Sequence, residues 1–366
     1  MIFSAAFIAG LCGSAWAQTA RPGLAQPLVL RWRYDSQQTI NLTPAVEGER
    51  VYVPQAGGEL LALQTTDGSL IWKSDNGGEI SCTPVADARA VYVASETHNT
   101  QLAAHAQAAK GYVRAINRET GLTLWVRQLP TPLYGLLVAN EAAIFGISAE
   151  GTIYALNKAT GETLWTVKHT PTLSSEVTLT GNRLYVGSKE GVVLAVAAAT
   201  GNVVWRFSAT GVVRGRILPE KGAIFFSTSD GGVYALEESA GALRWQTRAG
   251  ANVQTLALGP EGVFAASFDN SLYGLSLTNG KRMWRRQLGS RVAGELLAAP
   301  EGILLTAISG NLATVLDPHT GKALNTLSLG DDSCAGAAPV FARDVILLTG
   351  RKGLMAFANP NSKQGQ

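Results

Sequence analysis

Short runs of alternating apolar and polar residues, punctuated by glycine turns, fill almost the whole chain. In "GTIYALNKATGETLWTVK" (151–168), Ile153 and Ala155 alternate with Tyr154 and Leu156, the two-residue period of a strand. The "ATGE" segment supplies a turn in which Gly161 can take positive φ at no steric cost. The "TLWTV" that follows is β-branched and aromatic, so it pairs back as a second strand. Two more apolar runs precede each such hairpin, as in "TPAVEG" and "RVYVPQ" within 43–55.

The same pattern returns six times, in "GELLALQTTDGSLIWKS" (58–74), "GYVRAINRETGLTLWVR" (111–127), "GVVLAVAAATGNVVWRF" (191–207), "GGVYALEESAGALRWQT" (231–247), "NSLYGLSLTNGKRMWRR" (270–286) and "GNLATVLDPHTGKALNT" (310–326). The turn glycines are Gly68, Gly121, Gly161, Gly201, Gly241, Gly280 and Gly321, mostly 39–41 residues apart, with one step of 53 from Gly68 to Gly121. Self-similarity at about 40 residues means stacked supersecondary units, none of which buries its apolar faces alone. Four short antiparallel strands per unit predict propeller blades rather than a helical solenoid. The tryptophans Trp72, Trp125, Trp165, Trp205, Trp245 and Trp284 recur on the fourth strand, where a flat ring can fill the space between twisted neighbouring sheets. Each indole N–H then needs a backbone acceptor.

Seven turn glycines make seven hairpins, and "GLMAFA" (353–358) is an eighth third strand with no fourth strand after it. "LVLRWRYD" (28–35) reads as the missing piece, with Trp32 in the tryptophan position. An N-terminal strand completing the last blade closes the ring without an exposed edge. The expected fold is therefore all-β, an eight-bladed propeller over 28–358, with seven blades as the rival if 330–358 folds irregularly. Asn325 replaces tryptophan in the seventh unit, which predicts a weak contact between blades seven and eight and fast hydrogen exchange in 300–358.

Composition agrees with one large ring: 46% hydrophobic residues, 16% charged, 40 glycines and a net charge of +3. The densest basic run, "KRMWRRQ" (281–287), straddles an outer strand and reads as a solvated blade edge, so no nucleic-acid partner is expected. The leader "MIFSAAFIAGLCGSAWA" ends in Ala15-Trp16-Ala17, a secretory cleavage pattern that makes Gln18 the mature start. Residues 18–27 then form a linker and 359–366 a tail. Leu11 precedes Cys12 where lipidation needs a small residue, so no lipid anchor is expected. No later apolar run reaches the ~20 residues of a membrane span. Cys82 and Cys334 lead into blades two and eight, with blade one between them, too far apart for a bridge that needs Cα atoms within about 7 Å. Both are expected as free thiols in a monomer.

Catalytic chemistry is sparse. His98 and His105 fall seven residues apart in the Ala-rich insertion 95–111, where a metal site would want a carboxylate or Cys alongside, His169 follows a tryptophan strand, and His319 lies in a turn. No Ser-His-Asp order, P-loop or dinucleotide fingerprint occupies a suitable strand–turn–helix context. No enzyme activity, metal or cofactor is expected.

The "GTIYALNKATGETLW" pattern resembles the pyrroloquinoline-quinone-type propeller repeat, and the likeness covers 28–358. Two classes share that repeat. Quinoprotein dehydrogenases are eight-bladed periplasmic enzymes that hold the quinone and a Ca²⁺ ion on the propeller axis; they are longer and usually carry a vicinal Cys–Cys pair, which this chain lacks. The BamB family, periplasmic propellers of the outer-membrane β-barrel assembly machinery, matches in size, single-ring organisation and the missing tryptophan at Asn325. That resemblance implies a protein-binding scaffold with a partner in the cell envelope, docked through the loops entering blades four and five. The blade-four loop "TPTLSSEV" (170–177) has Leu173 as the apolar residue, with Glu176 near the family's Arg position. The blade-five loop "GVVRGR" (211–216) has Arg214 and Arg216 where acids are usual, so a BamA-like partner would meet inverted charge. Alternatives are a quinone- or small-ligand-binding propeller, enzymatic or sensory, and an envelope polysaccharide-binding protein.

In a four-stranded blade, the connections between blades emerge at the same end as the loops joining strands two and three. The Thr-Gly turns emerge at the other. "TPTLSSEV", "GVVRGR", "DDSCAG" (331–336) and the 95–111 insertion should therefore share one face, where varied loops on a rigid ring favour binding. Glu176 and Arg214, on adjacent blades, are expected either to pair or to dock a partner.

Overall fold

The computed structural model describes residues 21–97, 109–170, 172–308, 310–333 and 336–360. Eight sheets, antiparallel except for one short parallel pairing, follow one another around a ring. Blade one shows the unit: strands Ala45–Glu47, Arg50–Pro54, Glu59–Gln64 and Leu70–Asp75 run in sequence order from the axis to the rim. Six sheets have four strands. Blades two and three have five, because Cys82–Thr83 leaves blade two to pair in parallel with Gly135 and Leu136 of blade three. Cys82 is a buried free thiol there, and burial pushes its pKa up. Cys334, His98, His105 and the leader lie outside the described residues.

The second and third strands of most blades are buried along almost their whole length, as in Arg50–Pro54 and Glu59–Gln64. Their outward neighbours face the next blade, so the core is a ring of apolar clusters between blades rather than one centre. One such cluster joins Phe145 and Ile153 of blade three to Leu184 and Leu194 of blade four. The fourth strands alternate exposed residues with half-buried or buried ones, as rim strands do.

The tryptophans hold neighbours together in two ways. Each indole N–H donates to a backbone carbonyl of the following blade at 2.9–3.2 Å, from Trp32 to Thr65, Trp72 to Arg118, Trp125 to Lys158, Trp165 to Ala198, Trp205 to Glu238, Trp245 to Leu277 and Trp284 to Pro318. Each ring also lies flat on that blade's turn glycine. A Cβ on Gly161, which sits at φ +72°, would stand 2.5 Å from the Trp125 ring. Within its own blade, in blades one to six, the ring packs on an aromatic of the second strand, such as Tyr52 on Trp72 at 5.9 Å between centroids. Such contacts contribute about 0.5–1.5 kcal/mol each beyond area burial.

Closure is by the N-terminal strand. Val29–Asp35 pairs antiparallel with Gly353–Ala358, which places Trp32 opposite Ala356 and makes it the rim tryptophan of blade eight. Across the same seam, Arg343 pairs with Glu49 of blade one.

Within the linker read from the sequence, residues 21–27 pack on the ring, with Leu24 fully buried among Leu304, Val315, Leu327 and Ile346. The contact between blades seven and eight is therefore filled, and the premise for fast exchange in 300–358 does not hold. Closure explains the substitution. Blade eight takes its third and fourth strands from opposite ends of the chain, so it has no hairpin glycine on which a blade-seven tryptophan could lie. Leu24 fills that volume beside Leu304, which stands where blades one to six carry Tyr or Phe. Asn325 keeps the lost indole bond by donating to the Gln26 carbonyl at 2.6 Å.

Candidate functional site

The loops that enter the blades repeat a small motif. A buried apolar residue bridges back to the loop after the second strand: Leu173 to Ser188, Val213 to Thr228 and Val292 to Ala307. The residue three places later faces the axis. This positions Glu176, Arg216 and Glu295 around one axial cavity of about 300 Å³, with Thr43, Thr83 and Leu136 of the first three blades at the equivalent places. Hydrogen bonds from loop to loop set these positions. Ser174 Oγ donates to the Val213 carbonyl at 2.8 Å, and the Glu176 N–H donates to the Gly215 carbonyl at 3.3 Å. Ser175 Oγ accepts the Gly187 N–H at 2.6 Å, which holds the Glu176 backbone to its own blade.

Arg216 lies between two carboxylates. Its Nη1 donates to Glu295 Oε2 at 3.3 Å, and its Nε stands 4.0 Å from Glu176 Oε2. Burial, then the Glu295 charge, push the Glu176 pKa up to about 7, with Arg216 opposing. A second depression of about 380 Å³ shares Glu176 and runs out between blades three and four past Tyr134, whose hydroxyl donates to Glu96 at 2.6 Å.

The four residues singled out in the sequence fall on this face; Glu176 and Arg216 share the axial cavity, while Leu173 and Arg214 are not among its lining residues. Leu173 is buried in the cluster between blades three and four, so it is a core residue and not an exposed contact. The ion partner of Glu176 is Arg216, not Arg214. Three-residue spacing from Val213 takes Arg216 to the axis, while Arg214, one place after Val213, is exposed. Ser174 and Gln254 at the matching places reach the next blade's carbonyl. Among the described residues the Arg214 guanidinium makes no such bond. Glu295 was not singled out; its signal is spacing, since it stands two repeats after Arg216 and three after Glu176.

The Thr-Gly face is not featureless. Pro260, Pro300, Pro318, Phe264, Met283 and His319 enclose an apolar pocket of about 190 Å³ between blades six and seven. Lys158 on that face pairs with Asp87 at 2.6 Å, so its replacement would disturb the fold.

The axial donor set does not suit a Ca²⁺ ion, which takes six to eight oxygen ligands. The cavity offers two carboxylates with a guanidinium between them. Among the described residues no group of three or more His, Cys, Asp or Glu could hold a metal. Nor is any described helix long and apolar enough to cross a membrane.

Solved structures share the ring at low identity. BamB from Moraxella catarrhalis matches with a TM-score of 0.75 and 13% identity, over 90% of this chain and 99% of that one. The computationally designed Ika8 protein matches at 0.73 and 15%, over 92% and 99%. Quinohemoprotein alcohol dehydrogenase from Comamonas testosteroni matches at 0.70 and 13%, over 93% and 81%. No curated protein sequence matches. The profile of the family described as outer membrane protein assembly factor BamB matches residues 29–146 and 149–292, from the closing strand to the loop entering blade seven. With that span covering well over half of its length, this chain belongs to the BamB family.

Proposed function

We propose that this propeller is a non-catalytic scaffold of the cell envelope that docks a protein partner on the face carrying the lead-in loops, as part of outer-membrane protein assembly. The observation that carries the reading is the convergence of the charged loops of blades four, five and seven on one axial opening of a BamB-family ring. Arg214 stands exposed beside them. Family membership supports an envelope location, and the leader supports export. A BamA-like partner would have to present charge complementary to Glu176, Arg214 and Glu295 rather than the family's usual pattern.

Capture from an envelope extract by the immobilised mature chain tests this. Arg214→Glu should weaken capture by about 2 kcal/mol or more with the fold intact, and Tyr134→Ala should weaken it too. Lys281→Glu, an exposed change at a Thr-Gly turn, should leave it unchanged. If the turn variant loses the partner while the other two keep it, the docking face is the opposite one. The quinohemoprotein likeness favours a second reading, a quinone-binding axis. The poor Ca²⁺ donor set counts against it, and a visible absorbance shift on adding quinone and Ca²⁺ would revive it.

A further inference from the structure

The axial cavity is unbalanced in charge. Glu176 and Glu295 bring two carboxylates, Arg216 brings one guanidinium, and among the described residues that guanidinium hydrogen-bonds to Glu295 alone. Among the described residues no donor lies within hydrogen-bond reach of the Glu176 carboxylate, although only a third of that side chain reaches solvent. A half-buried carboxylate without a donor is costly unless something supplies one. The remaining wall is largely apolar, formed by Leu136, Leu296, Val340 and Phe341. Such a wall suits an aliphatic stem ending in a charged head.

We propose that the axial cavity receives one cationic group on an aliphatic stem, the ammonium or guanidinium of a Lys or Arg side chain on the docked protein, bound between Glu176 and Glu295. This rests on the protein-docking reading above and adds its chemistry. A second cation balances the two carboxylates and gives Glu176 the charge-assisted donors it lacks. An anion in the same place would face both glutamates, and a neutral group would leave the imbalance. The charged groups that face Glu176 are Arg216 of blade five and Glu295 of blade seven, with the buried Cys82 thiol also in its field.

The test is a methyl NMR titration of the mature chain, observing Leu136 and Leu296. Its probes are a capped Gly-Gly-Lys-Gly-Gly peptide, the same peptide with norleucine for lysine, and n-butylamine. At pH 8 the lysine peptide should give saturable shifts, the norleucine peptide none, and butylamine weaker binding than the lysine peptide. Glu176→Gln or Glu295→Gln should weaken the lysine peptide at least fivefold. Arg216→Gln, which removes the resident cation, should tighten it. Lowering the pH from 8 to 6 protonates Glu176, whose pKa is about 7, and should weaken binding about tenfold.

Absence of saturable shifts with both amines, or unchanged affinity in both glutamate variants, would overturn the cation site. Butylamine binding as tightly as the peptide would overturn the side-chain source. Partner capture that persists without amine binding refutes the cation site alone. Amine binding with no partner captured refutes the docking reading instead.

Discussion

Asn325 donates its side-chain amide to the Gln26 carbonyl at 2.6 Å, from the place where seven other rim strands carry a tryptophan. The bond ties blade seven to the segment that leads into the closing strand, and Leu24 in that segment fills the space left by the missing ring. Leu24→Ala should therefore lower stability by about 2–4 kcal/mol, as for any well-packed core leucine. Asn325→Ala should cost about 1 kcal/mol, the ordinary worth of one hydrogen bond. Denaturant midpoints check both. A Leu24→Ala protein as stable as the parent would mean that residues 21–27 are only draped on the ring.

Removing the closing strand should do far more. Deletion of 28–35 leaves Gly353–Ala358 as an open edge and strips Trp32 from Gly68. Aggregation or a large fall in melting temperature is expected. A truncated chain that melts like the intact one would remove closure as a source of stability.

The tryptophan–glycine contacts can be separated from backbone strain. Gly161 and Gly181 both have positive φ, at +72° and +55°, but a Cβ on Gly181 meets nothing within 4 Å, while one on Gly161 meets the Trp125 ring. Gly181→Ala should cost about 1 kcal/mol from conformation alone, and Gly161→Ala clearly more, by a further 1–3 kcal/mol from displacement of the ring. Equal melting shifts would mean that the ring moves aside freely.

Glu176 makes stability depend on pH. Its folded pKa, about 7, lies above the ordinary carboxylate value, so the folded state favours the protonated form. The associated stability is present below about pH 4.5 and is lost as the pH rises through 7. Glu176→Gln should match the parent near pH 4.5 and exceed it by roughly 1 kcal/mol at pH 8, after allowance for solvent screening at a partly exposed group. Melting curves for the two proteins that run parallel from pH 4.5 to 8 would show that the carboxylate is not strained by its surroundings.

The repeat was legible because its causes are local. Alternation, turn glycines and rim tryptophans recur every 40 residues or so, and each states the same strand, turn or packing need wherever it occurs. Blade number, ring closure through Trp32 and the family likeness all followed from that repetition. Reading Glu176, Arg216 and Glu295 at matching repeat positions would also have placed them on a common axis.

What the tertiary structure alone decided lies where the repetition fails. Leu24 comes before the first repeat and has no counterpart elsewhere, so only the folded ring could show it standing in for a tryptophan from the far end of the chain. Leu173 reads as an apolar loop residue in one dimension, yet neighbouring blades enclose it. The choice of Arg216 over Arg214 as partner of Glu176 depends on the direction in which the loop turns after Val213. Spacing along a chain assigns residues to equivalent places in a ring. Which of two adjacent side chains points to the axis is set by packing between blades, and that is a property of the assembled ring.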